Sequence, residues 1–398
     1  MVRYTHTHIT FAHMSETTTA IKERQRLEFL IKRVWPTYRL FVKHHLTKRC
    51  TKCAISERAS GTFSPDGICP ICLQKSSKTT SNTVAISEEQ EAAMHAQIAN
   101  ALSGAQGTGG FLYDALVFYS GGKDSTYLLH RLKIDYPNLR LLAITVDNGF
   151  MSPVAMSNIK QTIARLDVEY MILKPPSTLY KKLFAYAFTH PSKMGSAESI
   201  DVLDGELRFD IGRHLAAKLH IPLILIGLSR DQMSVYNGKP QCESDRAFEE
   251  SKRTTVSNYT LTELPLSSEE SKYWWDATRY DNGAIARVLF PLAAWNKDEQ
   301  FLSNEVVALG LISEGKQSPL LTNHLLIPLM ALTDVAQLGY ASWEPEFAQM
   351  IREGKADRKY WQHLFEMVEY AAKTGRFIGA SIDDLLTQLN LRRADVGL

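Results

Sequence analysis

Six consecutive residues carry the groups that proteins use to bind phosphate. In the segment "VFYSGGKDSTYLLHRL", residues 117–132, an apolar stretch leads into Ser120, Gly121, Gly122, Lys123, Asp124 and Ser125. A glycine-rich turn between a strand and a helix exposes backbone N–H groups at the positive end of the helix dipole, where phosphate binds. Lys123 adds a positive charge, the serines add hydroxyl donors, and the carboxylate of Asp124 can cap the helix or bind Mg²⁺. The sequence therefore predicts a phosphate-binding loop.

Four cysteines have the spacing of a metal site. Cys50, Cys53, Cys69 and Cys72 form two C-x2-C pairs separated by 15 residues, an array typical of a tetrahedral structural zinc site in a small ribbon or knuckle. A disulfide is disfavoured in a chain without an export signal, and an iron–sulfur cluster is the alternative metal group. Four protein ligands leave no open coordination position, so the predicted role of Zn²⁺ is structural.

The fifth cysteine, Cys242, stands alone in "GKPQCESDR". Its two interpretations are an incidental small residue and a reactive thiol.

The elements that must position the loop alternate along the middle of the chain. "DALVFYS", "LRLLAITVDNG", "EYMILKP" and "PLILIGLSRDQ" read as apolar strands, and helical segments separate them. Continuous apolar strands between helices predict a doubly wound α/β fold, with a parallel sheet covered on both faces. Ligands of such sheets bind at the carboxyl ends of the strands, which is where the predicted loop lies.

Composition and local signals predict several segments. The chain has 398 residues, 44% of them hydrophobic, and a formal net charge of +2, which is ordinary for a globular protein of two domains. The predicted segments are an N-terminal helical segment (1–48), the four-cysteine zinc module (49–75), a linker and helix (76–110), the α/β domain (111–310) and a helical C-terminal region (311–398).

Three finer predictions concern element boundaries. Pro36 should break or kink the N-terminal helix. Ser87 and Gln90 form a capping-box pattern, and Asn296 is positioned to cap a later helix. Residues 232–285 are irregular and read as an insertion or a lid over the site.

The basic, aromatic segment of residues 22–52 has two interpretations. It is either a solvated amphipathic helix, which we prefer, or a surface for an anionic partner. The sequence shows neither a signal peptide nor an apolar run of about 18 residues, so we expect a cytoplasmic protein without a membrane span.

The loop and its flanking pattern resemble a known family. "SGGKDS", following a buried strand and opening a helix, resembles the pyrophosphate-binding loop of the N-type ATP pyrophosphatases, also called PP-loop or adenine nucleotide alpha-hydrolase-like (HUP-type) enzymes. The resemblance covers about residues 111–310. It implies that residues 120–125 bind ATP, that Asp147 contacts the adenosine moiety, and that Gly227 lies at a later strand end. Lys123, Asp124 and Asp231 would be the catalytic residues. "LFPLAAWNKDEQ" is similar to a further family element, although no arginine directly precedes Pro291.

The resemblance implies a two-step reaction. Such enzymes cleave ATP between its α- and β-phosphates, transfer AMP to a carbonyl or carboxyl oxygen, and let a nitrogen or sulfur nucleophile displace AMP. Adenylation converts a poor leaving group into a good one, while the loop and Mg²⁺ stabilise charge on pyrophosphate.

A narrower resemblance concerns the nucleophile. The four-cysteine ribbon, the loop and "VDNGFMSPVAMSNI" are similar to the N-acetyl sugar amidotransferases, which use ammonia to convert an acetamido group into an acetamidino group. This implies a small-molecule acceptor and a separate glutaminase partner, because no glutaminase triad can be assembled from the sequence.

Two other functions stay open at this point. The first is sulfur transfer to a small heterocycle or tRNA, with a sulfur-donor protein and Cys242 as the sulfur carrier. We place nitrogen ahead because thiolating relatives carry additional cysteines near the position of "SIDVLDGE", which has none. The second is a nucleotide- or RNA-binding module without catalysis. His324 is a further candidate for the acceptor pocket.

Overall fold

The computed structural model describes residues 26–77, 86–110, 112–256, 258–317, 322, 324–377 and 380–398. These residues form two compact units. The described residues of the first, the sheet unit, lie within 84–179 and 204–324, and those of the second, the helical unit, lie within 21–83, 180–203 and 325–398. The part of the predicted N-terminal helix before residue 26 lies outside the described residues. No helix among the described residues has the length and apolar character of a membrane span.

Five parallel strands form the centre of the sheet unit, in the order β3-β2-β1-β4-β7. A separate antiparallel pair consists of β5 and β6. The strands are β1 (Ala115–Phe118), β2 (Leu141–Val146), β3 (Glu169–Leu173), β4 (Leu223–Leu225), β5 (Thr255–Val256), β6 (Tyr259–Thr260) and β7 (Arg287–Leu289). In the central strand, Val117 pairs with Ala143 on one side and with Leu225 on the other. The doubly wound parallel sheet predicted from the sequence is confirmed.

The helices follow the predicted alternation and continue through the C-terminal region. They are α1 (Trp35–Val42), α2 (Glu57–Ser60), α3 (Pro70–Ser77), α4 (Glu88–Ala105), α5 (Lys123–Asp135), α6 (Pro153–Leu166), α7 (Ser177–Thr189), α8 (Ser196–Leu219), α9 (Arg230–Asn237), α10 (Arg246–Glu249), α11 (Pro291–Trp295), α12 (Glu299–Ala308), α13 (Ile327–Leu338), α14 (Glu344–Arg352), α15 (Arg358–Thr374) and α16 (Ala380–Gln388). Short 3₁₀ turns lie at Lys43–His45, Glu270–Tyr273, Ala277–Arg279, Asn282–Ala284 and Arg393–Val396.

Both faces of the sheet are buried, which explains why its strands read as continuous apolar runs. Val117 packs into a cluster with Leu128 and Leu132 on one face. Its neighbour Leu116 packs into a different cluster with Ile224 on the other face. Successive side chains of a strand point to opposite faces, so a strand covered on both sides needs apolar residues at every position.

In the helical unit, residues 31–42 pack against the long helix α15. Ile31 and Trp35 share a buried cluster with Met367 and Tyr370 of α15. The indole N–H of Trp35 also donates a 3.1 Å hydrogen bond to Glu366. Residues near the N-terminus and the C-terminal helices therefore form one core.

The finer predictions had mixed outcomes. The capping box is confirmed, since Gln90 N–H donates to Ser87 Oγ at 3.2 Å and Ser87 N–H donates to Gln90 Oε1 at 3.1 Å. The irregularity expected at Pro36 is a π-helical turn, Leu30–Val34, directly before α1. Residues 26–42 form one continuous helical run, so Pro36 lies inside it, and the altered hydrogen-bond pattern of the π-helical turn directly before Pro36 accommodates the missing N–H.

The predicted cap at Asn296 is wrong. Asn296 has a left-handed backbone, with φ of 43°, at the C-terminus of α11. Asp298 caps α12 instead, because its carboxylate accepts a 2.7 Å hydrogen bond from the N–H of Phe301.

Buried ion pairs anchor the segment expected to be an insertion or lid. Arg253 donates to Asp210 of α8 at 2.8 Å, and Arg213 of the same helix donates to Glu249 at 2.6 Å. The indole N–H of Trp275 donates to the carbonyl oxygen of Glu249 at 2.8 Å. Residues 232–285 are therefore bound to α8 by buried ion pairs.

Candidate functional site

The loop between β1 and α5 has the backbone shape that phosphate binding needs. Gly121 lies in the left-handed region with φ of 75°, and a Cβ there would stand 2.4 Å from the carbonyl oxygen of Ala155. Only glycine fits both requirements. Gly122 is the N-cap of α5, and no side chain caps this helix. The N–H groups of its first turn have no intrahelical acceptor, so they are available to an anion.

Hydrogen bonds hold the loop in this shape. The hydroxyls of Ser120 and Ser125 lie 3.1 Å apart, and the backbone N–H of Ser120 donates to Ser125 Oγ at 3.2 Å. The side-chain amide of Asn158, a buried residue of α6, donates to the carbonyl oxygen of Gly121 at 3.0 Å. The loop is therefore organised by its own hydroxyls and by a neighbouring helix.

Lys123 is a buried cation with two carboxylate neighbours. Its ammonium lies 3.0 Å from Asp124 and 3.4 Å from Glu299, and only 9% of its side chain is exposed. Burial opposes the charge, but the two carboxylates outweigh it and raise the pKa of Lys123. The ammonium stays charged at neutral pH, as a phosphate-binding lysine must.

The other predicted nucleotide residues lie at strand ends in the sheet unit. Asp147 directly follows β2, where its carboxylate accepts from the N–H of Gly149 at 2.8 Å and lies 2.8 Å from the ammonium of Lys174. A Cβ at Gly227, beyond β4, would stand 3.3 Å from the backbone of Ser125, so this strand end lies directly against the loop. Asp231 is exposed in the first turn of α9.

The four predicted metal ligands come together in the helical unit. The sulfur atoms of Cys50, Cys53, Cys69 and Cys72 all lie within 4.8 Å of one another, and all four side chains are buried. Cys53 Sγ and Cys69 Sγ are 3.7 Å apart, close to the edge of about 3.8 Å that a tetrahedron of 2.3 Å Zn–S bonds has. The donor set therefore fits Zn²⁺, and an iron–sulfur cluster takes the same four thiolates.

Within the four cysteines, called here the cysteine centre, the thiols of Cys50 and Cys53 have different pKa values. Burial opposes ionisation of Cys50, but N–H groups including those of Cys69 and Lys52 lower its pKa to about 7. Burial raises the pKa of Cys53 to about 11. The thiolate form is therefore more accessible to Cys50 than to Cys53.

The remaining predicted residues are Cys242 and His324. Cys242 is 3% exposed in the core of the sheet unit, where its thiol donates to the side-chain oxygen of Gln97 at 3.3 Å. Burial raises the pKa of Cys242. His324 is half-buried at the end of the same unit.

Some residues that contact the loop were not predicted from the sequence. Asn158 and Glu299 lie within motifs that drew attention for other reasons, "SPVAMSNI" and "NKDEQ". Neither motif indicates that its polar side chain contacts the loop.

Comparisons with known proteins identify structural likenesses only. The sequence matches no protein-family model and no curated protein. The U34-tRNA thiolase NcsA from Methanococcus maripaludis, solved with its [4Fe-4S] cluster, is 14% identical, with a TM-score of 0.34 over 88% of this chain and 98% of its own. The NH3-dependent NAD synthetase from Campylobacter jejuni is 12% identical, with a TM-score of 0.33 over 71% of this chain and 95% of its own. The NMN synthetase from Francisella tularensis is 11% identical, with a TM-score of 0.31 over 74% of this chain and 98% of its own.

Proposed function

We propose that this chain is a PP-loop ATP pyrophosphatase that adenylates an oxygen atom of a small-molecule acceptor. The proposal rests on the loop of residues 120–125, which combines an uncapped helix N-terminus, a glycine with a left-handed backbone and a charged, buried lysine. This combination provides donors and positive charge for a chain of phosphates.

The loop and the predicted residues at the strand ends have separate roles in this reaction. The N–H groups of the first turn of α5 and the Lys123 ammonium stabilise the charge that develops on pyrophosphate as the bond to the α-phosphate breaks. Asp124 is the residue that would hold Mg²⁺, which supplies further positive charge to the phosphates. Asp147 contacts the adenosine moiety, Gly227 allows ATP to approach the loop, and Asp231 is the third catalytic residue.

The acceptor that we propose is an N-acetyl sugar. Its amide oxygen attacks the α-phosphate, which releases pyrophosphate and a proton and leaves an O-adenylated imidate. Ammonia then adds to the imidate carbon, and AMP leaves with a second proton to give the acetamidino group. A separate glutaminase would supply the ammonia.

The cysteines support nitrogen over sulfur as the transferred atom. All five cysteines of the chain are buried. Four form the cysteine centre, and the fifth, Cys242, is a core thiol whose raised pKa disfavours the thiolate that accepts sulfur. Sulfur transfer would therefore need sulfide delivered by another protein.

The test is acceptor-dependent release of pyrophosphate from ATP and Mg²⁺. N-acetyl sugars with ammonia form one arm, and heterocycles or tRNA with sulfide form the other. We expect pyrophosphate and AMP only in the ammonia arm, and we expect Lys123→Ala and Asp124→Ala each to abolish them. Asp135→Ala, at the far end of the same helix, is the matched control and should keep the activity. Turnover only with sulfide would replace the nitrogen proposal, and full turnover in both loop variants would refute the adenylation proposal.

A further inference from the structure

Glu299 lies beside the loop although the proposed chemistry requires no carboxylate there. It is the first residue of α12, and its carboxylate lies 3.4 Å from the Lys123 ammonium. The Glu299 side chain is 61% exposed, whereas the Lys123 side chain is 9% exposed. The lysine is thus fixed in the protein, while the carboxylate can turn away into solvent.

Two carboxylates and one ammonium leave this part of the loop with a net negative charge. Asp124 is bound to the loop by its position in the chain, next to Lys123. Glu299 comes from a different helix, whose start is held by the Asp298 cap. A phosphate entering the loop needs the same Lys123 ammonium that Glu299 contacts, so the two anions compete for one cation.

We propose that Glu299 competes with the phosphates of the nucleotide for Lys123 and thereby weakens the affinity of the loop. This inference rests on the proposed function. Glu299 acts through Lys123 and is a positioning residue. Its competition lowers nucleotide affinity and favours release of pyrophosphate after the reaction, without a part in bond breaking.

The experiment measures the dissociation constants of Mg²⁺–ATP and of Mg²⁺–pyrophosphate by calorimetry. We expect Glu299→Gln to bind both about two- to five-fold more tightly, the range that a largely exposed ion pair contributes. Glu299→Asp, which keeps the charge, should restore values near those of the wild type. Glu305→Gln removes one charge from the same helix without a contact to Lys123 and should leave both constants unchanged.

A steady-state measurement separates competition from a structural effect. We expect kcat of Glu299→Gln to equal or fall below the wild-type value, because pyrophosphate leaves more slowly, while KM for ATP falls. Unchanged or weaker binding in Glu299→Gln, or equal tightening in Glu305→Gln, would overturn the role of Glu299. Failure of the wild type to bind either ligand would instead overturn the proposed function.

Discussion

Arg358 donates a 3.0 Å hydrogen bond to the carbonyl oxygen of Cys50, across 308 positions of sequence. This bond joins the first turn of α15 to the backbone of one of the four clustered cysteines. Around it, the N–H of Ser56 donates to Glu344 at 3.0 Å, and Ala348 packs against the four cysteines. The cysteine centre and the C-terminal helices therefore share one core.

Loss of the metal should destabilise the whole helical unit. We predict about one zinc per chain, and we expect Cys50→Ser to lose the metal and become unstable or insoluble, because metal binding contributes directly to folding. Metal analysis measures the content, and thermal unfolding measures the stability. Cys242→Ser is the control and should keep its metal. A Cys50→Ser protein that is folded and as stable as the wild type would contradict this prediction, as would a wild type containing neither zinc nor iron.

Arg49 is a second link within the helical unit. Its guanidinium lies 3.1 Å from both Glu344 and Glu369, and all three side chains are at most 3% exposed. Arg49→Met leaves two buried carboxylates without this cation, which should cost about 3–5 kcal/mol in the free energy of unfolding. Urea denaturation measures the loss. Arg392→Met removes an 84% exposed guanidinium and should cost less than about 1 kcal/mol. If Arg49→Met and Arg392→Met lose the same free energy of unfolding, the buried ion pairs contribute no more than a surface ion pair.

The carboxylate of Asp114 should make the stability of the sheet unit depend on pH. Burial opposes its charge, but Arg140 at 2.6 Å and the N–H of Gly109 at 2.9 Å outweigh burial and lower the pKa of Asp114. A lowered native pKa stabilises the fold above the unfolded value of about 3.9, and this stabilisation is lost as pH falls through the native value.

Asp114→Asn provides the comparison. We expect the wild type to melt at a higher temperature than Asp114→Asn at pH 7, and the difference to shrink progressively below about pH 4. Asp281→Asn, at an exposed position, controls for loss of one negative charge. A melting difference that stays constant down to pH 2 would show that the ionised carboxylate is not the source of the stabilisation.

Gly121→Ala tests the shape of the loop. The added Cβ meets both a left-handed backbone and the carbonyl oxygen of Ala155 at 2.4 Å, so we expect loss of ATP binding and a cost above about 2 kcal/mol. Gly238→Ala has a similar φ of 70° with no atom within 4 Å of the new Cβ, and should cost only the backbone strain of about 1–2 kcal/mol. Calorimetry and urea denaturation measure the two effects. Normal ATP binding by Gly121→Ala would contradict the assigned role of the loop.

The sequence by itself determined the elements whose signals are local. The strand around Val117 is apolar at every position because both faces of the sheet are covered. The glycines and Lys123 stand at the junction of a strand and a helix, so their place at the carboxyl edge followed from the order of elements. The C-x2-C pairs bring their thiols together through short turns, so the cysteine centre was predictable from spacing alone.

The tertiary structure decided which distant side chains meet. Asn158 supports Gly121 and Glu299 reaches Lys123 because α6 and α12 pack beside the loop. Likewise, the pairing of Arg49 with Glu344 joins residues from opposite ends of the chain in one unit. The spacing of apolar residues in a helix or strand repeats over a few positions, so it indicates only which face of the element is buried. Which partner covers that face, and which charges it brings, depends on the packing of segments far apart in sequence.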